Sequence, residues 1–171
     1  MSELLSALIE TGTKRVLTGA LKTVVQSCAA LIAIGVVYTT TIVYIDLYVM
    51  TVIFLSAILA LLFLMYTAGP AARQDRPSIL DWFFLAASLV VGVYFATESE
   101  RITERITLLF PLEATDMVMA TILLVLTIEA TRRTVGLGLT SVVAVFVGYN
   151  LFGYNLPGGF GFRQISYNHF L

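Results

Sequence analysis

Histidine and cysteine are almost missing from this 171-residue chain, which has one of each, His169 and Cys28. A metal site built on imidazole or thiolate needs several such ligands converging, and a nucleophile triad needs a histidine held beside its nucleophile. Neither can be assembled here, and one cysteine forms no intramolecular disulfide. Cys28 lies in an apolar run, where it reads as a small packing residue rather than a reactive thiol. Charge is scarce too: Asp, Glu, Lys and Arg make up 12% of the chain, about half of what covers a soluble domain. The net charge of -1 leaves no basic excess to neutralise phosphates, so no nucleic-acid partner is expected. Two glycine-rich stretches, GLGLT (136–140) and LPGGFGF (156–162), lack the strand-glycine-helix context and the following lysine of a phosphate loop. No catalytic, cofactor-binding or metal-ligating residue is therefore expected.

What the chain has in abundance is apolar length. Hydrophobic residues are 58% of it and its mean hydropathy is +0.92, which places it in a lipid bilayer rather than in water. Between Lys22 and Asp46 lie 23 residues without a formal charge, enough helix to cross a hydrocarbon core of about 30 Å. Further runs follow, with spans expected near 23–45, 47–67, 80–97, 115–131 and 134–152. The fourth is the shortest, with only 12 uncharged residues from Met117 to Ile128. It crosses only if Asp116 caps its start and Glu129, Arg132 and Arg133 reach the headgroup layer at its end. The expectation is an all-α integral membrane protein with about five transmembrane helices, or four if that run does not cross. An amphipathic helix over residues 1–22 would lie in the membrane interface, with Leu4, Leu5, Leu8 and Ile9, then Val16, Leu17, Ala20 and Leu21, on one face; the alternative is a frayed tail leading into the first span. Glycine and proline break helical character over residues 153–171.

Charge in the connections orients the spans. Lys14, Arg15 and Lys22, then Arg73 and Arg76, then Arg132 and Arg133 fall on one side of a five-span arrangement. On the other side stand Asp46 and a loop with Glu98, Glu100, Glu104, Glu113 and Asp116 against Arg101 and Arg105. By the positive-inside rule the amino terminus is cytoplasmic and the carboxyl end lies outside. The middles of the five runs carry no ionisable residue, which leaves nothing there for proton or ion relay. Thr39, Thr40, Thr41, Gln26 and Ser56 read as hydrogen-bonding groups within and between helices rather than ion ligands. Tyr44, Tyr48, Tyr66, Trp82, Phe83, Tyr94, Tyr149 and Tyr154 sit near span ends, as interfacial anchors do. ESERITERI reads as a short surface helix with weak salt bridges, or as a docking point for an extracytoplasmic partner.

The stretch TIEATRRTVG (127–136) stands out because it interrupts this apolar chain with Glu129 three and four residues ahead of Arg132 and Arg133. That spacing lets the glutamate pair with either arginine along one helix face, and the arginines suit a helix carboxyl end and a cytoplasmic location.

RPSILDWFFLAASLVVGVYF, the acidic loop with ERIT and LEATDMV, and LLVLTIEATRRTVGLGLTSVVAVFVGYNLFGYNLPG together resemble the membrane-embedded amino-terminal portion of TRAP transporter permeases of the TAXI type. The resemblance covers roughly residues 70 to 160 and is strongest over EATRRTVG and from Tyr149 to Gly158. In that family a small Q subunit is often fused ahead of a large M permease, and this chain departs from the fused arrangement by stopping at Leu171. The resemblance implies a separate small Q subunit or one piece of a longer fused permease in a bacterial or archaeal cytoplasmic (inner) membrane. Its implied partners are the large permease and a periplasmic TAXI substrate-binding protein that delivers a small organic acid. A coupling ion, Na⁺ or H⁺, would be bound by the large subunit, with no cofactor in this chain. Glu129, Arg132 and Arg133 then become candidate contacts to the large permease as well as topology residues. A membrane adaptor or scaffold subunit of an unrelated complex is the alternative.

Overall fold

The computed structural model describes residues 14–43, 45–69, 76–104 and 112–155. These are helical, with no strand among the described residues. In chain order the helices are α1 (Gly19–Thr41), α2 (Leu47–Met65), α3 (Ile79–Thr97), α4 (Ser99–Thr103), α5 (Ala114–Val135) and α6 (Leu137–Phe152), followed by a 3-10 turn (Gly153–Asn155). Four of them, α1, α2, α3 and α5, are long and apolar enough to cross a membrane, and α6 is a shorter apolar helix. At 16 residues α6 reaches about 24 Å, short of the hydrocarbon core of about 30 Å. The expected helical membrane architecture is therefore present, with the first, second, third and fifth expected spans each within a few residues of a helix. The fourth expected span grows from 115–131 to Ala114–Val135, because the helix continues through the charged motif instead of ending at it.

Large apolar side chains point outward along these helices, for example Leu31 (67% exposed) and Ile79 (87%). Water would penalise so much exposed hydrocarbon, whereas acyl chains would not.

The helices fall into two compact units, α1–α4 and α5–α6. In the first, α2 and α3 pack together most extensively. Their shared face follows the helical repeat: Ser56, Leu59, Ala60, Phe63 and Leu64 from α2 are buried, as are Ser88, Val91, Gly92 and Phe95 from α3. Phe63 stacks on Phe84 with ring centroids 5.1 Å apart. At Gly92 the two helices approach closely, since a Cβ there would collide with Ser56 Cβ and Oγ. A Cβ at Gly148 on α6, by contrast, would meet nothing within 4 Å.

Three helix starts, those of α2, α3 and α5, are capped by acids. Asp46 Oδ1 accepts the backbone N–H groups of Tyr48 (2.9 Å) and Val49 (3.3 Å) at the start of α2. Asp81 Oδ2 accepts from Ser78 N at 2.7 Å, and Asp116 Oδ2 from Glu113 N at 3.2 Å. Each carboxylate satisfies donors that the first helical turn leaves unpaired and lies at the positive end of the helix dipole.

Residues 1–13, with most of the expected interfacial helix, lie outside the described residues, as does the tail from 156 onward with His169. Within 14–18 the chain is extended rather than helical, because Arg15 N donates to Met65 O at 2.7 Å and Lys14 forms an antiparallel bridge with Tyr66. Among the described residues the first helix begins at Gly19, which has a φ of +64°.

One residue, Gly136, separates α5 from α6. Its φ of 90° and ψ of -178° lie in a region of backbone space open essentially to glycine alone, at a cost of order 1–3 kcal/mol for other residues. Gly136→Ala is expected to destabilise the α5–α6 corner by that amount, read as a lower midpoint of thermal unfolding in detergent, or to shift the helix boundary, read as altered backbone NMR shifts over 134–139.

Candidate functional site

Two ionic centres organise the described polar side chains, one in each unit. The first is the motif that the sequence singles out. Residues 129, 132 and 133 share a face of α5 near its carboxyl end, so Glu129 meets both arginines rather than choosing one. Arg132 grips it with two parallel bonds, Nε to Oε2 and Nη2 to Oε1, each 2.8 Å. Arg133 Nε donates to Oε1, also at 2.8 Å. Three of the roughly four lone-pair positions of the carboxylate are thereby used. The two arginines differ in surroundings: the Arg133 side chain is 1% exposed and the Arg132 side chain 34%. Arg133 is thus a structural cation within its unit, while Arg132 presents an edge of its guanidinium outward. The triad carries a net charge of +1 at the helix end where the dipole favours a cation.

The second centre was not anticipated as a pair. Arg15 Nη2 donates to Asp81 Oδ2 at 2.8 Å, with both side chains 1% exposed. Arg15 Nη1 donates to Leu64 O at 2.9 Å, satisfying a carbonyl that the end of α2 leaves unpaired. One side chain therefore ties the segment before α1 to the end of α2 and the start of α3, and these three places lie together at one end of the helix pair. That is the common sidedness which the Lys and Arg count assigns to the amino-terminal segment and the loop after the second span. Arg15 Nε is buried without a hydrogen-bond partner, at a cost of about 1–3 kcal/mol. Asp81 does two jobs, capping α3 and pairing with Arg15 through the same oxygen.

The hydroxyls considered for ion binding are engaged with their own helices. Thr39 Oγ1 donates to Gly35 O (2.9 Å), Thr40 to Val36 O (2.8 Å), Thr41 to Val37 O (2.6 Å) and Ser56 to Val52 O (2.8 Å). The depression of about 430 Å³ at the α1–α2 turn, lined by Thr39 to Thr41, Ile42, Leu47 and Met50, is therefore walled by hydroxyls turned toward the helix backbone. Asn150 Nδ2 likewise donates to Phe146 O at 3.0 Å. Gln26 and Cys28 are exposed on α1, so Cys28 does not pack inside the chain as expected. Trp82 and Phe83 at the start of α3, and Tyr149 and Tyr154 at the end of the described chain, are also exposed, as interfacial anchors would be.

In the acidic connection, α4 is the short surface helix expected of ESERITERI. Arg101 Nε pairs with Glu98 Oε2 at 2.8 Å, but both side chains are over a third exposed, so the pair contributes little. Among the described residues no group of three or more His, Cys, Asp or Glu could hold a metal ion. No family model, no curated protein and no solved structure matches this chain.

Proposed function

We propose that this chain is the small membrane subunit of a TAXI-type TRAP secondary transporter, bracing a large permease in a bacterial or archaeal inner membrane with its amino terminus in the cytoplasm. The observation that carries this reading is where the charges go. Arg15 with Asp81, and Glu129 with Arg132 and Arg133, pair at helix ends, and the helix middles are left to apolar side chains. A brace needs long lipid-compatible helices with ends fixed in depth, and it needs no substrate or ion site of its own. The resemblance of RPSILDWFFLAASLVVGVYF and EATRRTVG to the family supplies the identity of what is braced. On this reading the large permease binds the organic acid and the coupling ion, and a periplasmic binding protein delivers the substrate.

Co-expression with a large TRAP permease of the TAXI type tests the proposal. The two are expected to co-purify at a fixed ratio through affinity and size-exclusion steps. Recovery of this chain alone, monodisperse and stable, with the permease eluting separately, would sink the reading. The outward edge of Arg132 gives a sharper form of the test. Arg132→Ala is expected to lower the yield of the complex several-fold while leaving the isolated chain's unfolding midpoint nearly unchanged, and an undiminished yield would confine Arg132 to an internal role.

A further inference from the structure

We infer that the Arg15–Asp81 pair is an ionic latch: it holds α1 against the α2–α3 hairpin, and its opening frees α1 as an intact helix while the hairpin stays closed. Packing along α1 is too sparse to fix its position, since Val25 is the one buried residue of this 23-residue helix, and Leu31, Ile34 and Val37 are all more than 60% exposed. The helix is instead held at its two ends. One end is the covalent connection into α2. The other is the extended segment before Gly19, which Arg15 fastens through its backbone N–H to Met65 O, its Nη1 to Leu64 O and its Nη2 to Asp81.

The hairpin does not depend on that fastening. Its closure rests on Phe63, Val91 and the approach of Gly92 to Ser56, and Asp81 keeps its bond from Ser78 N when Arg15 departs. Two further features suit a latch rather than a permanent rivet. Arg15 Nε lacks a partner while buried, so the closed state retains an unmet donor that interfacial water would satisfy once the segment lifts away. Gly19, at the junction of segment and helix, has a positive φ and nothing within 4 Å of a Cβ built on it, which leaves the joint free to pivot.

Paired spin labels in the full chain, reconstituted in lipid with Cys28→Ser, separate the two motions. Ile34→Cys with Ile58→Cys reports α1 against α2, and Ile58→Cys with Val90→Cys reports α2 against α3. Arg15→Gln and, separately, the nearly isosteric Asp81→Asn are expected to spread the first distance distribution toward longer values while the second keeps its width and position. An unchanged α1–α2 distribution in either variant would show that the pair does not hold α1. Broadening of both distributions together would show that the pair is part of the hairpin's own stability and would equally overturn the latch.

Discussion

Gly92→Ala is expected to drive α2 and α3 apart and to lower the unfolding midpoint of the chain in detergent. The added methyl would occupy space already held by Ser56 Cβ and Oγ. A hydroxyl can rotate away, but a Cβ moves only with its backbone, so the helices must separate and the contacts around Phe63 and Val91 must loosen. Overpacking of this kind costs about 1–3 kcal/mol. Removing the obstacle should remove the cost: with Ser56→Gly, the next atom a Cβ at position 92 would meet is Ser56 Cα at 4.0 Å, an ordinary contact. The double variant is accordingly expected to be more stable than the sum of the single effects implies, with a coupling of about 1–3 kcal/mol. Gly35→Ala on α1 is the control, because a Cβ there meets nothing within 4 Å; it is expected to be neutral or to gain up to about 1 kcal/mol of helix propensity. Strict additivity of Gly92→Ala and Ser56→Gly in a chemical-unfolding cycle would refute the close approach.

The second large effect is expected at Glu129. Glu129→Ala takes a carboxylate from Arg133, whose side chain is 1% exposed, and removing one partner of a buried ion pair costs about 3–5 kcal/mol. Arg132→Ala leaves Glu129 bonded to Arg133 and removes a side chain that is 34% exposed, so it is expected to cost under about 1 kcal/mol. The contrast between two residues of one motif is the test. Comparable losses in the two variants, measured by unfolding in the same detergent, would mean that burial of Arg133 does not set the energetics of the cluster.

How far the sequence speaks differs from feature to feature, for physical reasons. Uncharged runs bounded by Lys22, Asp46, Asp81 and Asp116 mark the helices well, because the cost of a charge in hydrocarbon is local and large. The end of α5 is less legible: a count of uncharged residues stops at Ile128, yet the helix runs to Val135, since Glu129 pairs with both Arg132 and Arg133 along its own face. The true stop is Gly136, whose positive φ no composition count reveals. The pairing inside EATRR is readable because its partners are three and four residues apart. Arg15 and Asp81 are 66 residues apart, and each has a sufficient local explanation, a cytoplasmic cation and a helix cap, so nothing in the sequence demands that they meet. Gly92 and Gly148 look alike in the sequence, and only the facing helix distinguishes a required glycine from an unconstrained one.

On the proposed function this chain braces transport carried out by a larger partner, and uptake into proteoliposomes tests that most directly. With the large permease and the binding protein present, adding this chain is expected to restore accumulation of the organic acid driven by an imposed Na⁺ or H⁺ gradient, while vesicles containing this chain alone accumulate none. Accumulation by this chain alone, or undiminished uptake by the permease without it, would contradict the account.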